Sequence, residues 1–248
     1  MSFVAYCEKE HINKKRAKDV QATEQDNIFY CQNTNCDCKF TVSALNSNKV
    51  RTHFVKLPSS KHIENCWNNV NLSDSGDKDD YDTSDFSPLA LLNSVQKTKT
   101  HKTLVDTPRT TDPEISPTTT AKETLYIHTI RQLYSVCLMN DDDDDINGTK
   151  IKALFAGRKT SYLYTIYISG IKLVECSYYS YDTENRRINF QFPYTENNFM
   201  LSVYFNSIEL FKYFRKQLYQ YTKPILIYAE WVNNQAKIIS KEQIVALK

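Results

Sequence analysis

The chain is short of the residues from which phosphate-cradling loops are built. Only four glycines and seven prolines occur in 248 residues. No G-x-G-x-x-G or G-x-x-x-x-G-K motif can be written, so glycine-loop α/β cofactor folds lack their raw material. Long apolar runs are missing too, and the opening MSFVAYCEKEHINKKR turns charged before a signal-peptide core could form. The expected setting is cytoplasmic. Charge of one sign is also scarce, since 31 Lys and Arg stand against 29 Asp and Glu. The distribution says more than the sum: residues 1–70 and 123–248 are mildly basic, whereas 71–122 are acidic. That pattern is compatible with nucleic-acid contact without the high isoelectric point that would demand it.

Cysteine and tyrosine, by contrast, are present and unevenly placed. Cys7, Cys31, Cys36, Cys38 and Cys66 fall in the first 66 residues, with Cys137 and Cys176 isolated later. In a reducing compartment such a cluster is better suited to binding metal as thiolates than to disulfides. The surrounding apolar stretches (Phe3 to Tyr6, Ile28 to Tyr30, Phe40 to Val42, His53 to Val55) are strand-sized. They supply only a thin core, of the kind that needs a metal or another staple. Residues 1–70 are therefore read as a small zinc-ribbon-like module.

From 71 to 121 the sequence is rich in Ser, Thr, Asp and Pro and reads as a flexible acidic linker, interrupted by one apolar patch, Pro88 to Val95, that could dock on a neighbour. Beyond it, residues 122–248 predict a β-rich domain with strands at Ile151 to Phe155, Tyr162 to Ile168, Ile171 to Val174, Ile188 to Phe192, Phe199 to Phe205, Ile225 to Trp231 and Ala236 to Ile239. One amphipathic helix opens at Asn206-Ser207-Ile208-Glu209 and carries Phe211, Phe214 and Leu218. A second, weaker helical pattern runs from Lys122 to Met139. The fold class is α+β, mostly β. A helix before the last two strands resembles the oligonucleotide/oligosaccharide-binding (OB) barrel in topology, with one or two strands to spare; an elaborated barrel and a different sheet both stay open.

The metal site is read from spacing. Cys31-x4-Cys36 lies about 25 residues before His62-x3-Cys66, so two short ligand pairs flank a hairpin-sized insert, as a tetrahedral Zn²⁺ requires. Cys38 competes with Cys36, and His53 with His62; the set Cys31, Cys36, His62 and Cys66 is preferred because each pair fits one turn. The strings FYCQNTNC and HFVKLPSSKHIENCW, with the opening VAYC, resemble the N-terminal zinc-binding module of the competence-protein CoiA-like families over roughly residues 3–67. The resemblance implies a DNA-related setting, often a nuclease or a mobile-element protein. It maps Cys31, Cys36, His62 and Cys66 onto the ligand positions and His53-Phe54 onto a His-Phe step. Where the family has a short C-x-x-C, this chain has C-x4-C-x-C.

Such relatives carry an E-x-K on a nuclease strand, and no E-x-K follows the linker here. Glu230 and the run Asp141 to Asp145 are the carboxylates weighed as metal ligands, and the expectation is a non-catalytic protein. Seventeen tyrosines, most after residue 125, offer a stacking platform: Tyr162, Tyr164 and Tyr167, interleaved with Arg158, Lys159, Arg186 and Arg187, are the candidate nucleic-acid contacts. The alternative for these rings is packing within the sheet. The preferred function is single-stranded nucleic-acid (DNA) binding with a structural zinc. A divergent metal-dependent nuclease and a protein-interaction module of a defence system are the alternatives, the last implying a protein partner.

Overall fold

The structure, a computed structural model, describes residues 2–47, 50–64, 66–69, 81–97, 125–195 and 198–247. The amino-terminal body is one antiparallel sheet of β1 (Val4–Tyr6), β2 (Lys14–Arg16), β3 (Phe29–Tyr30), β4 (Lys39–Ser43) and β5 (His53–Lys56), in the order β2-β1-β3-β4-β5. A bridge between Ser2 and Phe54 brings β5 back to the residue that leads into β1. The apolar stretches of the sequence form β1, β3, β4 and β5, the basic Lys14–Arg16 adds as β2, and Phe29 packs on Phe54 with ring centroids 4.7 Å apart. Four of the eleven buried residues in this core are cysteines, Cys31, Cys36, Cys38 and Cys66. So thin an aliphatic interior is of the kind that small domains commonly supplement with a staple.

Next come a short parallel pair, β6 (Tyr81–Asp82) with β7 (Leu125–Tyr126), and two helices, α1 (Pro88–Gln96) and α2 (Ile130–Met139). A hairpin of β8 (Asp145–Ile146) and β9 (Thr149–Lys150), the single turn α3 (Ile151–Leu154) and the strand β10 (Phe155–Ala156) follow. The barrel itself consists of β11 (Gly170–Asp182), β12 (Arg187–Phe192), β13 (Phe199–Phe205), α4 (Ile208–Leu218), β14 (Ile225–Val232) and β15 (Gln235–Ile238). Its strands pair in the order β11-β12-β13-β15-β14, and β14 closes the ring on β11. β13 and β15 run parallel and the other pairs antiparallel. This is the OB closure, with the helix between the third and fourth strands. The supernumerary strands are β10, added to β11, and β16 (Ile244–Ala246), added to β14.

The long β11 makes closure possible by serving two partners. Gly170 to Cys176 pair with β14, Ser177 to Asp182 pair with β12, and a register shift between Tyr178 and Ser180 lets the strand bend. In β12 the alternation Arg187-Ile188-Asn189-Phe190-Gln191-Phe192 sends Ile188, Phe190 and Phe192 inward. Helix α4, capped by Ser207 Oγ accepting from the Leu210 N–H at 3.1 Å, buries Leu210, Phe211, Phe214 and Leu218 in the same core.

Several elements differ from the sequence reading. Ile151 to Leu154 form a helical turn, and Tyr162 to Ile168 form a 3-10 turn and loop, although both segments have strand composition. The helix assigned from Lys122 starts at Ile130, because Thr129 and Gln132 form a capping box there; residues 122–124 lie outside the described residues. Part of the linker is folded: α1 lays Leu91, Leu92 and Val95 into a second core with Leu133, Phe155, Leu173 and Tyr228 on the outside of β11 and β14. Tyr228 Oη donates to the Pro88 carbonyl at 2.8 Å and Asn147 Nδ2 to the Phe86 carbonyl at 3.0 Å. The remainder of the assigned linker, 71–80 and 98–121, lies outside the described residues.

Candidate metal centre and nucleic-acid interface

Two turns at the end of the amino-terminal body bring four ligand-type side chains together. The first, between β3 and β4, carries Cys31 and Cys36 and is tied by the Cys36 N–H to the Asn33 carbonyl at 2.9 Å. The second follows β5 and carries His62 and Cys66, with the Cys66 N–H donating to the Ile63 carbonyl at 3.1 Å. The ligand atoms of Cys31, Cys36, His62 and Cys66 all lie within 4.8 Å of one another. Cys31 Sγ is 3.5 Å from Cys66 Sγ and 3.6 Å from His62 Nδ1, and Cys36 Sγ is 3.4 Å from His62 Nδ1. A tetrahedron with Zn–S of about 2.3 Å and Zn–N of about 2.0 Å has S···S edges of roughly 3.8 Å and S···N edges of roughly 3.5 Å. The cluster therefore has the size that a four-coordinate ion requires.

Two N–H groups point at one of the sulfurs. The Asn33 N–H donates to Cys31 Sγ at 3.4 Å and Asn68 Nδ2 to the same sulfur at 3.5 Å. Such N–H···S bonds orient and stabilise metal-bound sulfur. Without an ion, Cys31 and Cys66 share a hydrogen bond that raises the Cys31 thiol and lowers that of Cys66, while burial raises Cys36. The two competing residues are used elsewhere. Cys38 is buried beside the cluster and accepts from Ser60 Oγ at 3.6 Å. His53 sits in β5 with Nδ1 2.8 Å from the Arg51 carbonyl. Among the described residues no other group of His, Cys, Asp or Glu side chains is assembled for a metal.

The carboxylates weighed as ligands serve other ends. Glu230 points outward from β14. The run Asp141 to Asp145 is a contact between the two bodies. Lys14 reaches Asp141 at 2.9 Å and Arg16 reaches Asp144 at 2.6 Å across that contact, while Lys159 holds Asp142 at 3.1 Å from the barrel side and Lys152 pairs with Asp143. The Phe3 N–H donates to the Met139 carbonyl at 3.1 Å in the same seam.

The residues picked for nucleic acid separate into four places. Arg186 and Arg187 stand at the β11–β12 turn of the barrel, Arg186 exposed with φ of 48° and Arg187 paired to Asp182 at 3.0 Å. Arg158, Lys159 and Tyr162 line a cleft between the barrel body and the Cys31–Cys36 turn. Tyr167 is exposed on the loop before β11. Two do not sit at the surface as a stacking platform needs. Tyr164 is buried against Phe192, its hydroxyl donating to the Lys152 carbonyl at 3.0 Å, because its ring packs in the barrel core. Lys159 is buried with its ammonium donating to the Cys137 and Asn140 carbonyls.

Sequence reasoning passed over a polar row on the barrel's outer face. Asn189 Nδ2 donates to Ser180 Oγ at 3.0 Å and Ser202 Oγ donates to Asn189 Oδ1 at 3.3 Å, spanning β11, β12 and β13. Beside it lie Arg187, whose guanidinium is 5.9 Å from the Tyr204 ring, and Lys237 opposite Tyr204 on β15. The signal was the polar half of the β12 and β13 alternation, which marks a face left to solvent. No protein-family model matches the chain, and neither curated proteins nor solved structures give a match.

Proposed function

We propose that the chain is a single-stranded nucleic-acid-binding protein whose OB-type barrel carries the strand and whose amino-terminal body is held by a structural zinc ion. The observation that carries the reading is the asymmetry of the barrel's outside. Helices α1 and α2 cover β14 and the first half of β11, whereas the second half of β11, with β12, β13 and β15, keeps a polar face toward solvent. Strands two and three and the adjoining loops are where OB barrels take oligonucleotides. Arg186, Arg187 and Lys237 supply phosphate contacts there, Tyr204 a ring for stacking, and Asn189, Gln191 and Ser202 hydrogen-bonding groups. Three thiolates with one imidazole favour zinc over hard cations, and the resemblance to the CoiA-like module agrees with a DNA setting.

A salt-titrated binding assay with single- and double-stranded oligonucleotides tests the reading. Preferential single-strand binding that weakens steeply with salt, and weakens further in Arg187→Ala and Lys237→Ala, is expected. Affinity that ignores both salt and those substitutions would refute it. A second reading, protein docking, draws on one specific feature: Ile166, Tyr167 and Val232 are 70%, 61% and 63% exposed. They are held up by Asn234, which donates to the Ile166 carbonyl at 2.9 Å and accepts from the Ile168 N–H at 2.7 Å. Binding through that apolar loop would change little with salt.

A further inference from the structure

The seam between the two bodies leaves a cleft of about 590 Å³, within the usual range for small-molecule sites. One wall is the Gln32-Asn33-Thr34-Asn35 segment between the first two cysteines of the metal cluster; the other is barrel-side, with Arg158, Lys159, Ser161, Tyr162 and Tyr194. Tyr6, Lys14 and Asp142 complete the lining. Three cations and one carboxylate therefore face it, together with three primary amides and three phenol rings. Much of the far wall is fixed from behind. Glu175, fully buried, accepts from Arg158 Nε at 2.7 Å and from Tyr134 Oη at 3.2 Å, and the Arg158 guanidinium stands 5.6 Å from the Tyr194 ring.

We infer that this cleft binds a nucleotide, its phosphate toward Lys14 and Arg158 and its base among the amides and tyrosine rings. Each cation already meets one carboxylate, Lys14 with Asp141, Arg158 with Glu175 and Lys159 with Asp142, so an anion would be held by the donors left over rather than by net charge. Lys14 gives one ion pair to Asp141, and Arg158 directs Nε and Nη2 at Glu175, so each retains donors for a further oxygen. Lys159, engaged with Asp142 and two carbonyls, adds field and rigidity. A bare phosphate or an acidic peptide would satisfy the cations and leave the planar groups unused. Gln32 Nε2 donates to Ser2 Oγ at 2.7 Å and Asn33 Oδ1 accepts from the Asn35 N–H at 3.1 Å, so these two hold the wall, and the exposed Asn35 amide beside the aromatic faces suits a heterocyclic base with donors and acceptors on its edge. No glycine loop takes part, and the site is separate from the barrel face. The same chemistry arises from a free mononucleotide or from the end of a bound strand. The Cys31–Cys36 turn forms one wall, so loss of a metal that loosens this turn should weaken nucleotide binding.

The test titrates the full chain, purified without chelator, with 5′-mononucleotides, nucleosides and inorganic phosphate in separate arms. Mononucleotides should bind more tightly than phosphate or nucleoside. Asn35→Ala and Tyr162→Ala, both at exposed positions, should each weaken that binding by about tenfold without shifting the melting temperature. Competition between mononucleotide and oligonucleotide would identify a strand end as the occupant; absence of competition would identify a free nucleotide. Arg187→Ala should weaken oligonucleotide binding at the barrel face and leave mononucleotide binding intact, so the two sites fail separately. Phosphate binding as tight as any nucleotide, no mononucleotide binding up to about 1 mM, or binding unchanged in both cleft variants would overturn the inference.

Discussion

At the scale of single residues, the buried Arg158–Glu175 pair is the most demanding feature of the molecule. Gly157 makes room for it: a Cβ at this position would come 2.3 Å from the Phe155 ring and 2.9 Å from Glu175 Oε2. Gly157→Ala should therefore cost about 1–3 kcal/mol through forced repacking, read as a lower melting temperature. Glu175→Gln leaves the guanidinium without its counter-charge and should cost about 3–5 kcal/mol, while Glu175→Leu combined with Arg158→Met should recover most of the loss. Burial opposes the charge on Arg158, and the adjacent carboxylate outweighs it, so its pKa is raised. The clustering of Cys31, Cys36, His62 and Cys66 was legible because residue chemistry and spacing coincide there. The roles of Tyr164 and Lys159 were not legible, because a tyrosine in a strand-like run reads the same whether it packs or stacks. A lysine beside an arginine gives no sign that one of the pair is buried.

At the scale of elements, the metal turns and the barrel belong to separate cores, so they should fail separately. Cys66→Ser, or removal of metal by a chelator, should release amide protection over residues 31–66 while β11 to β15 keep theirs, as hydrogen exchange would report. Loss of protection in both would mean that they unfold as one unit. The barrel strands from Ile188 onward were legible because period-two alternation there coincides with clear turns, and α4 because Ser207 caps it. The segment from Ile151 to Ile168 was misread as two strands. Its β-branched and aromatic residues serve one helical turn and a short strand packed with α2, and a loop whose Tyr164 and Ile168 enter the barrel core, where tertiary contacts override propensity. The docking of α1 was visible only as an apolar patch in a polar stretch, since sequence carries no record of which surface covers it.

At the scale of the whole molecule, an ionic seam joins the bodies, with Lys14 and Arg16 on one side and Asp141 and Asp144 on the other. Burial works to raise the Asp141 carboxyl, but the Asp143 N–H and the Lys14 ammonium outweigh it and hold the pKa below the usual value. A carboxylate depressed in the folded state stabilises above its unfolded pKa of about 3.9, and that contribution is lost as pH falls through the folded value. The seam should thus persist at about pH 5 and open below about pH 4. High salt should loosen it at neutral pH with the barrel intact; a radius of gyration unchanged in both conditions would show that the apolar contacts suffice. The five aspartates looked like a solvated run in sequence, because Lys14 and Arg16, which tie Asp141 and Asp144 to the other body, lie more than a hundred residues away.

If an ion organises the amino-terminal body, elemental mass analysis of the chain purified without chelator will detect it. One zinc per chain, lost together with amide protection over residues 31–66 when Cys66 is changed to Ser, is the predicted result. A chain free of transition metal whose residues 31–66 remain fully protected would contradict it.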